Sequence, residues 1–327
     1  MSLARRLLPL VFAALPLAAE PPANLIADPG FEQAALGNTL PDIWNRFNAA
    51  GKECAASIVA GGHSGAHALR IAGNGEFCGV VVSAVPLAAD QRYVVAAWVK
   101  ADGDAQACVK VDYLKDGAWL GQTDPYKAAA DGQWHEMAIA DDRAKFADAN
   151  QVALALVVGG GGQAWFDDVA FVALPADQGN RLPNGGFETG TDGAADGWSE
   201  AHPADESPKV SWTAAAAHGG LHGVNLKGAK TFHVLYAPSF PRDKAKVLTL
   251  SGWVRARSGG ATLKFDFRNG DQWVGDQAGD SVPADGQWHE VKVVLDTTKF
   301  PEATELCAAI LADGPDADAD FDDVVMK

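Results

Sequence analysis

Cysteine is scarce in this chain of 327 residues: Cys54, Cys78, Cys108 and Cys307 are the only four, and no spacing among them resembles a zinc site. Cations are also short, with 26 Lys and Arg against 42 Asp and Glu and a net charge of −16, so the long-range field repels phosphate backbones. A nucleic-acid partner is not expected. Long apolar runs are missing as well. The run from Leu7 to Leu17 falls short of the roughly 18 to 20 residues a membrane helix needs. Lying behind Arg5 and Arg6 and ahead of Ala18 and Ala19, it predicts a secretory signal over residues 1–19. No cysteine follows it closely, so a lipoprotein anchor is not expected. The mature chain is expected to be secreted, periplasmic or extracellular, with no membrane insertion.

Catalytic signatures are absent too. His135-Glu136 and His289-Glu290 lack the second histidine of a zincin helix, and Gly159–Gly162 is a glycine run without the lysine of a Walker loop. No GxSxG elbow occurs. The chain is therefore expected not to be an enzyme.

What the chain does have is a duplication. AWVKA around Trp98 answers GWVRA around Trp253, a displacement of 155 residues. Asn24–Glu32 (NLIADPGFE) answers Asn180–Glu188 (NRLPNGGFE), and His63–Ile71 answers His218–Leu226. ADGQWHE recurs letter for letter at 130–136 and 284–290, and WFDDVAFV at 165–172 answers DFDDVVMK at 320–327. The spacing predicts two domains, over 20–174 and 180–327, joined by a linker at 175–179. Counterparts of Cys54 and Cys78 would fall at Lys209 and His233, so both are missing from the second copy together. Of the three full pairings four cysteines allow, this favours a Cys54–Cys78 bridge, with Cys108 and Cys307 as buried thiols.

Within each copy the signals are those of strands. Tyr93, Val95, Ala97 and Val99 line one face of a strand, leaving Val94, Ala96, Trp98 and Lys100 on the other. Leu248, Leu250, Gly252 and Val254 likewise oppose Thr249, Ser251, Trp253 and Arg255. The next strands set Val109, Val111 and Tyr113 against Lys110 and Asp112, and Leu263, Phe265 and Phe267 against Lys264 and Asp266. Short punctuated strands and no long helical pattern predict an all-β fold: two tandem β-sandwich domains, most simply jelly rolls.

The ordered set NxxxxxGFE, HSGxxALR, YxVxAWVKA, DGQWHE and FDDV, found twice, resembles the carbohydrate-binding modules of families four, nine and twenty-two, with their galactose-binding-like jelly-roll fold. The resemblance covers nearly all of the mature chain and implies polysaccharide binding through a polar sheet face. Aromatic rings accept the C–H face of a sugar and polar neighbours meet its hydroxyls. Trp98, Lys110 and Asp112 fit that description, as do Trp253, Arg255, Lys264 and Asp266, with Trp119 and Trp273 at the rim. Trp134, Trp288, Trp44 and Trp198 are expected to be packing residues.

The resemblance also implies structural Ca²⁺, held by Glu32 with Asp167 or Asp168 and by Glu188 with Asp322 or Asp323. Backbone carbonyls at 63–66 and 218–221 would complete those sites. Two other functions compete: an envelope or extracellular protein-interaction module, and a cryptic glycoside hydrolase or lyase with carboxylates from distant strands.

Overall fold

A computed structural model describes residues 21–48, 55–123, 126–176, 179–243, 247–296 and 298–327. The expected signal, Cys54, and residues 177 and 178 of the expected linker lie outside these. Among the described residues no helix is long and apolar enough to cross a membrane.

The first repeat supplies β1 (Trp44–Asn48), β2 (Ala55–Ala60), β3 (His67–Ala72), β4 (Cys78–Val82), β5 (Val85–Pro86) and β6 (Gln91–Asp102). It continues with β7 (Gln106–Lys115), β8 (Ala118–Gln122), β9 (Trp134–Ala140), β10 (Gln151–Gly159) and β11 (Gln163–Pro175). The second supplies β12 (Gly190–Thr191), β13 (Ala194–Ala195), β14 (Ser199–Ala201), β15 (Lys209–Thr213), β16 (Gly223–Ala229) and β17 (Phe232–Tyr236). Then come β18 (Phe240–Pro241), β19 (Thr249–Asn269), β20 (Gln272–Ala278), β21 (His289–Val294) and β22 (Glu305–Met326). The chain is all-β, as expected.

In the first repeat the order β1-β4-β10-β7-β8 makes one sheet, and β9-β6-β11-β3-β2 makes the other. Their inner faces share a core that includes Val95, Val99, Phe166 and Phe171 from one sheet and Val80, Val109, Val111 and Leu156 from the other. Two-residue periodicity puts Val95, Val99, Val109 and Val111 on the inner side, as expected, whereas Phe166 and Phe171 share it through the bulge between Asp167 and Ala170. In the second repeat β19 and β22 run 21 and 22 residues, passing from one layer to the other, so nine of its eleven strands form one folded sheet. The bend in β19 falls at Gly259, where φ is +70° and a Cβ would lie 2.7 Å from the Asp313 carbonyl oxygen.

The two repeats are not separate beads. The β12–β13 hairpin of the second pairs with β9 of the first, Gly190 opposite Ala138, extending the first repeat's sheet. Above that junction Val94, Ala96, Ala138, Val172 and Leu174 belong to the same apolar cluster as Leu182, Phe187 and Trp212 of the second repeat. Polar bonds ring the junction: Tyr126 Oη donates to Asp196 Oδ2 at 2.8 Å, and His222 Nε2 meets Glu136 Oε1 at 3.0 Å. Half of the face expected to be open and polar is thus interface.

Cys78 is disulfide-bonded, whereas Cys108 and Cys307 are free and buried. Desolvation raises the Cys108 thiol to about 11 and the Cys307 thiol to about 12, which leaves both protonated and inert at neutral pH.

Candidate functional site

The outer face of the β1-β4-β10-β7-β8 sheet is concave and holds a cavity of about 640 Å³. Its floor is apolar because Val81 of β4 and Ala153 and Val157 of β10 point outward there, with Phe47 of β1 and Phe77 along its wall. Lys110 and Asp112 of β7 stand in it as a buried pair, each 7% exposed. Lys110 Nζ donates to Asp112 Oδ1 at 2.7 Å and to Gln122 Oε1 at 2.8 Å. Trp119 Nε1 donates to Asp112 Oδ1 at 3.2 Å while the ring stays 60% exposed. Charges buried this way persist because each is paired and hydrogen-bonded.

A β-bulge places Trp119. Tyr113 pairs with Gly121 and Leu114 with Trp119, so Leu120 is the extra residue and the indole is swung onto the groove side. The second repeat has the same bulge, with Phe267 opposite Gly275 and Arg268 opposite Trp273. There Lys264 Nζ lies 2.8 Å from Asp266 Oδ1 and 3.5 Å from Asp276 Oδ2, and Trp273 is 55% exposed.

The nine residues expected to share sugar-binding faces fall into two groups. Lys110, Asp112 and Trp119 come together, as do Lys264, Asp266 and Trp273. Trp98, Trp253 and Arg255 do not join them, and the expectation that they do is corrected. Alternation along a strand separates its two faces but does not say which sheet the strand enters. Trp98 on β6 points outward from one layer of the sandwich, and Lys110 on β7 points outward from the other. Both indoles are half-buried and covered. His63 stacks on Trp98 at 3.7 Å and 8°, and His218 on Trp253 at 4.1 Å and 15°. Arg255 is spent on Asp320 Oδ2 (2.7 Å from Nε), on the Ala215 carbonyl, and over the Trp288 ring.

Trp44 and Trp288 are buried, as expected of packing residues. The groove residues missed in the sequence are Phe47, Phe77 and Gln122. Gln122 sits directly opposite Asp112, a relation only strand pairing reveals.

The six carboxylates expected to hold calcium converge on the GFE and HSG-type loops. Glu32 Oε1 accepts the Ala66 and His67 amides at 2.8 Å each, and Asp167 Oδ2 accepts those of His63 and Ser64 at 2.7 and 3.1 Å. In the second repeat Glu188 Oε2 accepts the Leu221 amide at 2.8 Å, and Asp322 Oδ2 those of His218 and Gly219 at 2.6 and 2.9 Å. His63 and His218 each place Nδ1 2.8 Å from Asp168 and Asp323. The loops therefore offer N–H groups to these carboxylates where carbonyls were expected. Among the described residues no three His, Cys, Asp or Glu side chains are grouped so as to hold a metal ion.

The two loop sites differ in burial. Glu32 is exposed whereas Glu188 is 1% exposed, while Asp167 and Asp322 are equally buried at 0%. Desolvation, opposed by the Leu221 amide and the nearby Arg92, raises Glu188 to about 8. Desolvation and the neighbouring Asp323 and Glu188 push Asp322 up as well. Gly220 makes this packing possible: its φ is +69°, and a Cβ there would lie 1.6 Å from Glu188 Oε1. Gly220→Ala is expected to destabilise the chain by about 2 to 4 kcal/mol in urea unfolding. Gly65→Ala, whose Cβ would meet the exposed and movable Glu32, should lose less.

No family model matches the chain. No curated protein matches it either. Among solved structures it is similar to the N-terminal CBM22-1-CBM22-2 tandem domain of Xyn10C from Paenibacillus barcinonensis, with 13% identity and a TM-score of 0.40, over 94% of this chain and 98% of that one. A likeness to TmCBM61 in complex with β-1,4-galactotriose has 16% identity and a TM-score of 0.32, covering 47% of this chain and 99% of that one. A cyclase from Fischerella sp. TAU is similar at 15% identity and a TM-score of 0.34, over 47% of this chain and 97% of that one.

Proposed function

We propose that the chain is a secreted, non-catalytic carbohydrate-binding protein whose ligand is a polysaccharide. The observation that carries this reading is the groove holding Lys110, Asp112, Gln122 and the exposed Trp119. An exposed indole beside an apolar floor receives the C–H face of a sugar ring. Asp112 Oδ2, the third Lys110 proton and the Gln122 amide nitrogen are open to its hydroxyls. Lys110 and Asp112 cancel each other's charge, which suits an uncharged glycan. A hydrolase uses two carboxylates across the scissile bond, whereas the described lining of this groove has one, Asp112. The disulfide at Cys78 suits an oxidising compartment outside the cytoplasm.

Calorimetry or affinity electrophoresis against β-glucans, xylans and mannans tests the reading, with micromolar to millimolar binding expected for at least one. Trp119→Ala should weaken that binding at least tenfold, about 1.4 kcal/mol, with little change in melting temperature because the ring is exposed. No binding across a broad glycan array would leave a protein ligand as the better account of the groove.

Calcium at the two loop sites is part of the proposal. Its support is the hard oxygen donors and the raised pKa values of the buried Glu188 and Asp322, which desolvation causes first and neighbouring carboxylates second, and which a bound cation would offset. Glu32, Asp167 and Asp168 would hold the ion in the first repeat, and Glu188, Asp322 and Asp323 in the second.

A further inference from the structure

The two repeats present homologous grooves that are not chemically equivalent. Strand pairing aligns them row by row. Val81, Ala155 and Lys110 lie side by side in the first, and Tyr236, Ala309 and Lys264 in the second. One row on, Asp112 lies between Ala153 and Gln122, and Asp266 between Cys307 and Asp276. The Lys–Asp pair and the rim tryptophan are retained, but what surrounds them changes.

Three of the changes add volume, while Gln122 becomes the shorter Asp276 and Phe47 at the wall becomes Ala201. Val81 becomes Tyr236, Ala153 becomes Cys307, and Leu114, opposite Trp119, becomes Arg268, opposite Trp273. The half-buried Tyr236 ring lies under two cations, with Lys264 Nζ 5.7 Å and the Arg268 guanidinium 5.1 Å from its centroid. Asp266, the counterpart of Asp112, is 0% exposed. In the first groove Lys110 lies over Phe47 at the wall instead, 5.3 Å away, and the floor beneath is open. Tyr236 and Arg268 thus occupy space that Val81 and Leu114 leave in the first groove.

We propose that only the first groove accepts the uncharged glycan, and that Tyr236, braced by Arg268, is the residue that closes the second. This rests on the carbohydrate reading above, which it narrows from two sites to one. A polysaccharide would then gain nothing from duplication through avidity within one chain.

The test is stoichiometry on the full chain, titrated with β-gluco-, xylo- and manno-hexaoses. One hexaose per chain is expected, lost in Trp119→Ala and kept in Trp273→Ala. The double variant Tyr236→Val with Arg268→Leu should raise the count to two, with its fold checked by circular dichroism. Two hexaoses per unaltered chain, or equal losses in the two tryptophan variants, would overturn the proposal while leaving carbohydrate binding intact. In parallel, the neutral apolar dye Nile red counts open grooves without any sugar. One dye per chain, removed by filling the first floor with Val81→Tyr and raised to two by the double variant, supports the proposal. Equal dye binding in both grooves overturns it. Failure of every hexaose with the expected dye counts would sink the carbohydrate reading and keep the closed second groove.

Discussion

Val94→Asp is expected to unfold the interface between the repeats and destabilise the whole chain by about 3 to 5 kcal/mol, because it buries an unpaired charge where exposure is now 0%. At about 2 to 4 °C per kcal/mol for a chain of this order of size, the melting temperature should fall by roughly 10 °C. Ser251→Asp, on the same face of the corresponding strand of the second repeat, is the control. That residue is half-exposed, its cross-strand neighbour is the exposed Lys292, and its loss should stay within about 0.5 kcal/mol. Excising residues 21–176 alone tests the same contact differently. The fragment would bare Val94, Ala96, Ala138, Val172 and Leu174 and is expected to aggregate or to melt without cooperativity. Two independent transitions in the intact chain, with Val94→Asp melting like its parent, would show that the shared cluster contributes nothing.

The second large effect concerns the buried carboxylates of the second repeat. Glu188 has a native pKa of about 8, set first by desolvation, against an ordinary value of 4.5. The native state therefore holds this proton more tightly than the unfolded chain, so its contribution is complete below about 4.5 and is lost as pH rises towards 8. Each unit in that window costs up to about 1.4 kcal/mol. Asp322, raised by burial and by Asp323 and Glu188, acts in the same direction. With cations chelated, urea midpoints should fall between pH 5 and pH 8, roughly, and Glu188→Gln should flatten the fall. His135, held high by Asp131, has the same sign, and the glutamine variant separates the two. Calcium added at the upper end should restore the midpoint, by about 2.7 kcal/mol at a hundredfold excess over its dissociation constant. Stability that rises with pH in chelator, and no response to calcium, would remove both the pKa reading and the ion.

Much of this architecture is legible before any coordinates. Alternation placed Val109, Val111 and Tyr113 inward and Lys110 and Asp112 outward, and the structure has them so. Val94 and Ala96, against Thr249 and Ser251 at the same positions of the second copy, are an apolar departure on the outer face of β6, and it is there that the repeats touch. Trp98 misled because an indole beside a lysine looks the same in sequence whether solvent or an imidazole lies over it.

The sequence by itself determined the duplication, the all-β character and the inward and outward sides of each strand, because a pleat imposes a two-residue period that local spacing records. Only the tertiary structure decided which outward faces meet. β6 and β7 are consecutive yet enter different sheets, so Trp98 and Lys110 part company, while Trp119 and Gln122 reach Asp112 across a bulged strand pair. Groove formation depends on the bulk of residues brought together from distant strands, Val81 or Tyr236 among them, and no single strand carries that information.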